Sequence, residues 1–500
     1  MDQVGLAARA RRHWLFGLVL VAALVPRILV ALAFRPVMWF GGDSASYLAT
    51  GLRLIPDPSR VGGYGFLLWA LRPLHSFALV AAVQHLMGLA MGVLVYLIAR
   101  RFGLPAWAAT LAALPVLFDA YELQLEADAV PDVPFGLLVL LALYLLLRSP
   151  GERRPAATTA AAFLLGVSAL LWPVGLVLLA VLLVVLQAAL LIRRAGLVTV
   201  LAALLAGALP VAAYAAWFSV HERQFSLTRS DGVYLWSRTM SFADCAVIRP
   251  PAGERVLCPP PGPRMAASLY IWDGNSPLLS LPGGRFSARA NRTALHFALR
   301  AIAAQPGDYA AAAGHDFGLS FSWDRPVHPD AGIVDRYQFA DAATAWVPAG
   351  MRTPGGGTVA RDQAAYNNGR LAPTRAVQPY TSWLVTYQRY VYLPGTLLGV
   401  ILLAGLAAMI ARRRVYPAGL PWAFAVTILL VPPLLADFDL RYLVPAVPVA
   451  CLAAALAFAP GAGQRRWTTS PAATATSEPE DTRTSSLPSE STPAAGPDSA

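Results

Sequence analysis

The sequence of 500 residues has no lysine, and all 39 of its basic side chains are arginine. Only 13% of the residues are charged, whereas a soluble globular protein has about 25%. This shortage of charge excludes an ordinary soluble domain, and the 57% hydrophobic content predicts a membrane protein. The net charge of +11 does not require a nucleic-acid partner, because basic loops set the topology of membrane proteins.

Cysteine is also scarce, with three residues in the chain. Cys451 lies in the last apolar segment and is expected to be a buried, small apolar residue. Cys245 and Cys258 lie in a region expected outside the cell, where thiols can oxidise. We expect a disulfide between them rather than a metal site, because the intervening segment has no other ligand-type residue except Glu254.

Long apolar runs make up much of the sequence. Crossing a bilayer takes about 20 residues. Ten segments are long enough, or nearly so: 14–34, 77–99, 104–120, 132–148, 156–174, 175–192, 196–218, 389–411, 418–436 and 441–459. If the N-terminus is cytoplasmic, each arginine cluster falls on the cytoplasmic side, as the positive-inside rule requires. The clusters are at 9–12, 100–101, 148–154, 193–194, 412–414 and 465–466.

The predicted fold is a polytopic, all-α protein of the cell membrane with about ten transmembrane helices. Residues 1–218 would form an N-terminal transmembrane module of about seven helices, with an exterior loop at 35–76. Residues 219–388 are long enough to fold as an extracytoplasmic α or α/β domain. Residues 389–459 would hold the last helices. Residues 460–500 are rich in Ser, Thr, Pro and Ala, and they are predicted to be a disordered cytoplasmic tail.

Polar side chains lie inside or beside the predicted spans. Arg27 lies within the first span, where a charge is costly unless it is paired or reaches water. His85 lies at a similar depth in the second span, so the two side chains could line one cavity. Arg27 could instead extend to the lipid headgroups, and His85 could make a purely structural hydrogen bond. Arg441 and Tyr442 open the last span, where an interface anchor is the alternative.

Carboxylates cluster where the predicted spans leave the membrane on the exterior side. Asp43 follows the first span in the stretch "FGGDSASYL", and its neighbouring glycines let the backbone turn and leave the carboxylate uncovered. A turn-forming aspartate is the alternative. Glu126, Asp128 and Asp132 lie between the third and fourth spans, where they could form a solvated acidic loop. Asp132 could also simply cap a helix.

These motifs together resemble a known family. They are "GDSASYL" after the first span, "VQHLMGLAMGVLVYLIARR" in the second, "PDVPFGLLVLLALYLLLR" at the fourth and "RYLVPAVP" at the last. The chain resembles the GT-C glycosyltransferases, in the protein-mannosyltransferase-like branch that uses polyprenyl-phosphate sugars. The stretches "FADCAVIRPPAGERVLC" and "YIWDGNSP" are similar to actinobacterial members.

The resemblance implies an enzyme that transfers a hexose or pentose from a polyprenyl-phosphate donor to an acceptor outside the cell. Asp43 would be the general base. Asp132, or else Asp128 or Glu126, would orient the sugar or the acceptor. The resemblance implies no particular cofactor; a divalent metal is an open alternative, because some GT-C enzymes need one. The sequence has "DS" where many protein mannosyltransferases have "DE". It therefore leaves open whether the acceptor is a cell-wall glycan, a lipid or a protein.

The same resemblance implies a cationic site for the donor phosphate. Arg441 would hold it, with Arg27, Arg60 or His85 as alternatives and Tyr442 beside it, because the planar guanidinium suits phosphate oxygens. Two other functions stay open on the sequence. A transporter or lipid flippase would show inverted repeats and polar groups near the midplane. A non-catalytic scaffold would use residues 219–388, called the insertion below, to bind a partner.

Overall fold

The computed structural model describes residues 3–147, 155–342 and 348–460, and from residue 13 onward it also describes the side chains. The predicted tail beyond Pro460 lies outside these residues. So do the arginine clusters at 148–154 and 465–466 and the side chains of the cluster at 9–12.

Helices account for most of the described chain. The first eleven are α1 Gln3–Ala22, α2 Leu24–Ala33, α3 Gly41–Arg53, α4 Gly63–Leu71, α5 Phe77–Arg101, α6 Ala106–Phe118, α7 Ala120–Ala127, α8 Asp132–Leu146, α9 Pro155–Leu171, α10 Val174–Leu191 and α11 Leu197–Glu222. The insertion and the last helices contain α12 Asp231–Thr239, α13 Cys245–Ile248, α14 Leu269–Trp272, α15 Ala288–Ala304, α16 Pro306–Leu319, α17 Ala331–Val334, α18 Val359–Tyr366, α19 Tyr380–Tyr390, α20 Gly395–Ala411, α21 Gly419–Leu435, α22 Leu440–Leu443 and α23 Ala446–Ala457.

Strands are few and short. They are β1 Phe34–Arg35, β2 Arg352–Thr353, β3 Gly357–Thr358 and β4 Arg375–Ala376. The antiparallel pair β1–β4 joins the segment after α2 to the segment before α19, with Phe34 opposite Ala376. The pair β2–β3 forms a hairpin within the insertion. The strands therefore form only short antiparallel pairs in the segments that connect the helices.

Several helices are suited to a lipid environment. Among the described residues, five are long and apolar enough to cross a membrane: His13–Ala33, Phe77–Arg101, Val174–Leu191, Leu197–Glu222 and Leu440–Ala457. The pair α19 and α20 passes the same test if it is one span bent by 46°. Shorter apolar helices are α6, α8, α9 and α21. This set of helices is typical of a membrane protein, while the number of about ten spans stays a prediction.

Each of the ten apolar segments contains at least one helix in the described part of the chain, and the segment at 389–411 departs from the prediction at its start. The segment expected at 389–411 begins inside the bend, because α19 ends at Tyr390 and α20 begins at Gly395. Pro394 immediately precedes α20 in an extended conformation. It has no N–H with which to continue the preceding helix, so the chain starts a new one.

Two ends of the bundle can be told apart by their polar contacts. At one end, Arg101 Nη1 donates to the carbonyls of Tyr144 and Leu147, both at 2.9 Å, where α8 finishes. Arg412 Nη1 similarly reaches the carbonyl of Ala457 at 3.2 Å, at the end of α23. Asp132 and Arg441 therefore lie at the opposite ends of two apolar helices from these arginines.

The insertion has a core of its own as well as contacts to the bundle. Val233 and Trp236 of α12 pack with Phe297 of α15 in a fully buried cluster. Cys245 and Cys258 border this cluster and are joined by a disulfide, with Cα atoms 6.1 Å apart.

We expect the double substitution Cys245→Ser and Cys258→Ser to destabilise the insertion by about 3 kcal/mol, because the bridge restricts the unfolded chain. A lower melting temperature of the detergent-solubilised protein would register this loss. Reductant should lower the melting temperature of the wild type and leave that of the double variant unchanged. A wild type insensitive to reductant would contradict the prediction.

Candidate active site

Asp43 lies in the first turn of α3, which follows β1 after the segment 36–40. Gly41 starts the helix with φ +50°, a left-handed conformation that glycine adopts at little cost. The Asp43 carboxylate accepts a hydrogen bond from Arg441 Nη1 at 2.8 Å on Oδ2 and pairs with Arg60 Nη1 through Oδ1. Its side chain is 31% exposed, while those of Arg60 and Arg441 are 14% and 10% exposed. One reachable carboxylate thus holds two largely buried guanidinium groups.

Arg441 also binds the second acidic motif. Its Nε lies 2.8 Å from both carboxylate oxygens of Asp132, the first residue of α8. Asp439 accepts from the backbone N–H of Arg441 at 3.2 Å, which caps α22. The guanidinium carbon lies 5.2 Å from the centre of the Phe40 ring. The Arg441 side chain therefore bridges Asp43 and Asp132, which come from distant parts of the sequence.

A tight loop after α3 positions Arg60. Asp57 accepts hydrogen bonds from the Ser59 backbone N–H at 2.7 Å and hydroxyl at 2.6 Å, and from the Ser46 hydroxyl. Ser59 Oγ then accepts from Arg60 Nε at 3.2 Å. Because most of these groups are buried and paired, the loop presents the Arg60 guanidinium to Asp43 in a fixed direction.

The charge of Asp43 follows from this arrangement. Burial raises the pKa of its carboxyl, but the nearby guanidinium groups of Arg60 and Arg441 outweigh that effect and hold the pKa below its usual value. Asp43 is therefore ionised at neutral pH.

Asp128 lies beside the same site, but its pKa is shifted in the opposite direction from that of Asp43. Met38 donates its N–H to the Ala127 carbonyl at 2.9 Å and accepts from the Ala129 N–H at 3.1 Å, which places the two acidic motifs side by side. Oδ2 of Asp128 is buried and has no hydrogen-bond partner among the described residues. Burial raises the pKa of Asp128 well above its usual value.

Three other candidates form a second buried cluster. Glu126 accepts from Arg27 Nη2 at 2.6 Å, and His85 Nδ1 lies 2.7 Å from its other oxygen. Arg27 Nη1 also donates to the Leu117 carbonyl at 2.8 Å. Gly88 makes room for the carboxylate, because a Cβ there would lie 1.7 Å from Glu126 Oε1. The structure thus joins Arg27, His85 and Glu126 to one another, and within the described residues their hydrogen bonds do not include Asp43.

Replacing Glu126 by glutamine is expected to destabilise the protein by about 3–5 kcal/mol, because Arg27 is left buried without its counter-charge. The yield of monodisperse protein and its melting temperature would measure the effect. Replacing the exposed acid Asp324 by asparagine is the matched control and should change neither. A Glu126→Gln protein as stable as the wild type would contradict the prediction.

Residues from the insertion reach the site, which the sequence does not indicate. The Trp272 ring centre lies 5.8 Å from the guanidinium carbon of Arg60. Tyr442, predicted beside the phosphate, stacks on Trp172 with ring centres 5.0 Å apart. A tryptophan in a Pro- and Gly-rich stretch gives no periodic signal that would connect it to residues 200 positions earlier.

One group of possible metal ligands occurs within the described part of the chain. Asp316, His328 and Asp437 offer ligand atoms within 4.8 Å of one another. His328 Nε2 lies 2.6 Å from Asp437 Oδ1, and Asp316 pairs with Arg238. The two carboxylates thus already have basic partners. The group ties α16 of the insertion to the segment before Arg441.

Comparisons with known proteins give low similarity. No protein-family model matches the sequence, and no curated protein matches it. A solved oligosaccharyltransferase from Archaeoglobus fulgidus, tethered to an acceptor peptide, is 14% identical with a TM-score of 0.39 and covers 90% of this chain. This chain spans only 50% of that protein. ArnT from Cupriavidus metallidurans, bound to undecaprenyl phosphate, is 16% identical with a TM-score of 0.35, and 89% and 78% of the two chains are covered. Scores this low do not establish a common fold.

Proposed function

We propose that this chain is a membrane glycosyltransferase that moves a sugar from a polyprenyl phosphate to a hydroxyl group of an extracytoplasmic acceptor. One observation carries the proposal: two arginines, Arg60 and Arg441, converge on one partly exposed carboxylate, Asp43. Glycosyl transfer needs a base for the acceptor and positive charge for the departing phosphate. Asp132 begins the apolar helix α8 and Arg441 lies just before α23, so the site is at the ends of apolar helices, where a lipid-linked phosphate would lie.

The two arginines suit a leaving phosphate because of how its charge changes. The donor phosphodiester carries one negative charge, and the released polyprenyl phosphate carries up to two. Guanidinium groups fixed beside it therefore stabilise the transition state more than the bound donor. Largely buried arginines act strongly here, since the low local dielectric weakens their attraction less than water does.

The donor phosphate would compete with Asp43 for these guanidinium groups. When the phosphate binds beside Arg60 and Arg441, its negative charge offsets theirs. The interactions that lower the pKa of Asp43 then weaken, and its carboxylate becomes a stronger base. The acceptor oxygen then bonds to the anomeric carbon, and the bond from that carbon to the phosphate oxygen breaks. The electron pair leaves with the polyprenyl phosphate, and the acceptor proton goes to Asp43.

The remaining candidates have supporting roles in this proposal. Asp132 holds the Arg441 guanidinium in place, and Asp128, whose buried Oδ2 has no partner among the described residues, bonds to the sugar or the acceptor. Glu126, with Arg27 and His85, fixes α7 against α5 behind the site. Tyr442 supports the pocket wall through Trp172.

The ends of the bundle support an orientation in the cell membrane. Arg101 and Arg412 mark one end, and basic side chains favour the cytoplasmic side. Asp43, Asp132 and Arg441 lie at the other end. We therefore place the site and the insertion outside the cytoplasm, with both termini on the cytoplasmic side.

The test uses the full chain purified into nanodiscs with a panel of polyprenyl-phosphate hexoses and pentoses. Mass spectrometry should detect free polyprenyl phosphate and a glycosylated acceptor that appear together, and neither with the Asp43→Asn protein. Movement of intact donor across proteoliposomes, with no cleavage of any donor, would instead identify a flippase and overturn the proposal.

A further inference from the structure

The motif "YIWDGNSP" in the insertion supplies an aromatic side chain that the proposed chemistry leaves without a role. Tyr270 and Ile271 of α14 are buried in the core of the insertion, whereas Trp272, which ends the helix, is 47% exposed. Exposing a large aromatic ring forfeits the stabilisation that its burial would give. Because this ring lies at the edge of the proposed active site, it is accessible to a ligand bound there.

Contacts on both sides of Trp272 hold it in place. Ser268, just before α14, donates its N–H and its hydroxyl to Asp437 Oδ2 at 2.8 and 3.0 Å. Just after α14, the Asp273 carbonyl accepts from Arg285 Nη2 at 2.6 Å. The ring of Phe286 lies 5.6 Å from the indole. The exposed ring is consequently a fixed surface that does not have to be ordered when a ligand binds.

This surface adjoins the proposed phosphate site. The guanidinium carbon of Arg60 lies 5.8 Å from the centre of the Trp272 ring, and Arg60 pairs with Asp43. A phosphate bound to Arg60 brings its attached sugar ring next to the indole. The C–H groups on one face of a sugar ring are weakly positive and apolar, and they match the negative face of an aromatic ring.

We propose that Trp272 forms a sugar subsite, in which the ring of the lipid-linked sugar stacks on the indole while Arg60 holds the phosphate. This inference rests on the proposed function and adds to it the residue that distinguishes a sugar-loaded lipid from the bare lipid phosphate. The insertion thereby becomes part of the donor site.

The experiment compares binding of a polyprenyl-phosphate hexose with binding of bare polyprenyl phosphate by native mass spectrometry. Trp272→Ala should weaken binding of the sugar-loaded lipid about tenfold, and that of the bare lipid less than about twofold. Trp272→Phe keeps a ring and should retain most of the affinity. Trp323, which is 57% exposed, provides the matched control Trp323→Ala, with no change for either lipid.

Two outcomes of this binding experiment would overturn the inference. Equal weakening of both lipids by Trp272→Ala would mean that the ring only positions Arg60, and no weakening would mean that it has no part in binding. A melting temperature like that of the wild type confirms that the variant is folded. If wild-type protein binds and transfers the sugar while Trp272→Ala behaves identically, the subsite alone fails. If the wild type binds neither lipid, the proposed function fails as well.

Discussion

Asp43→Asn is expected to lower the turnover number about 10²- to 10⁴-fold, the usual contribution of a positioned general base. Asparagine has nearly the same shape and can still accept a hydrogen bond from Arg60 or Arg441. It cannot take the proton of the acceptor hydroxyl at neutral pH. The measurement is the initial rate of sugar transfer at saturating donor, with Asp324→Asn as an exposed acid-to-amide control that should keep the wild-type rate.

Measuring donor affinity distinguishes two roles for Asp43, that of a general base and that of a residue that only organises the phosphate site. In the free protein, Asp43 occupies the two guanidinium groups that the phosphate needs. Removing its charge should therefore leave the dissociation constant of the donor unchanged or smaller while turnover falls. If Asp43→Asn instead weakens donor binding and leaves turnover intact, Asp43 organises the phosphate site and is not the base.

The pH dependence follows from the same contacts. Arg60 and Arg441 lower the pKa of Asp43 against the effect of burial. In the free enzyme this carboxylate therefore stays ionised down to pH values below the usual pKa of an aspartate. The kcat/KM profile, which reports groups of the free enzyme, should show no loss assignable to Asp43 until the pH falls below about 4. An acid limb near neutral pH that disappears in Asp43→Asn would contradict this assignment.

The sequence predicts much of the fold because apolar runs and breaks are local signals. Ala294, Leu295 and Ala298 stand at helical spacing and lie in α15, and the sequence Pro306-Gly307, a local break signal, starts α16. The span predicted at 389–411 begins inside α19, because Val391, Tyr392 and Leu393, which join α19 to α20, are themselves apolar.

The site was harder to predict because its contacts are distant in sequence. Arg441 meets Asp132 and Asp43 across 309 and 398 positions, and no local pattern fixes that register. Burial of Arg27 with Glu126 and His85 also depends on how α5 and α7 pack. The sequence indicates only that a charge inside a span needs a partner. Trp272 comes close to Arg60 only through the fold of the whole insertion.

Arg441 gives the second large prediction, because one side chain joins two acidic motifs. Arg441→Gln should reduce kcat/KM on the order of 10³-fold through loss of positive charge at the phosphate. It should also destabilise the protein by about 3–5 kcal/mol, since Asp132, 5% exposed, loses its counter-charge. Arg441→Lys keeps the charge, but an ammonium group has no planar fork to contact both oxygens of Asp132 and also reach Asp43. Its activity should fall between those of the wild type and Arg441→Gln.

A double variant separates the structural effect of Arg441 from its effect on catalysis. Asp132→Asn combined with Arg441→Gln removes both buried charges, so most of the lost stability should return, as measured by the melting temperature. Sugar transfer should stay low, because the departing phosphate still lacks the guanidinium group. If the double variant regains wild-type kcat/KM, Arg441 serves only to neutralise Asp132, and the positive charge for the leaving group must come from Arg60 alone. If Arg441→Lys is fully active, a single cationic point charge is sufficient and the bridge between Asp43 and Asp132 is not required for transfer.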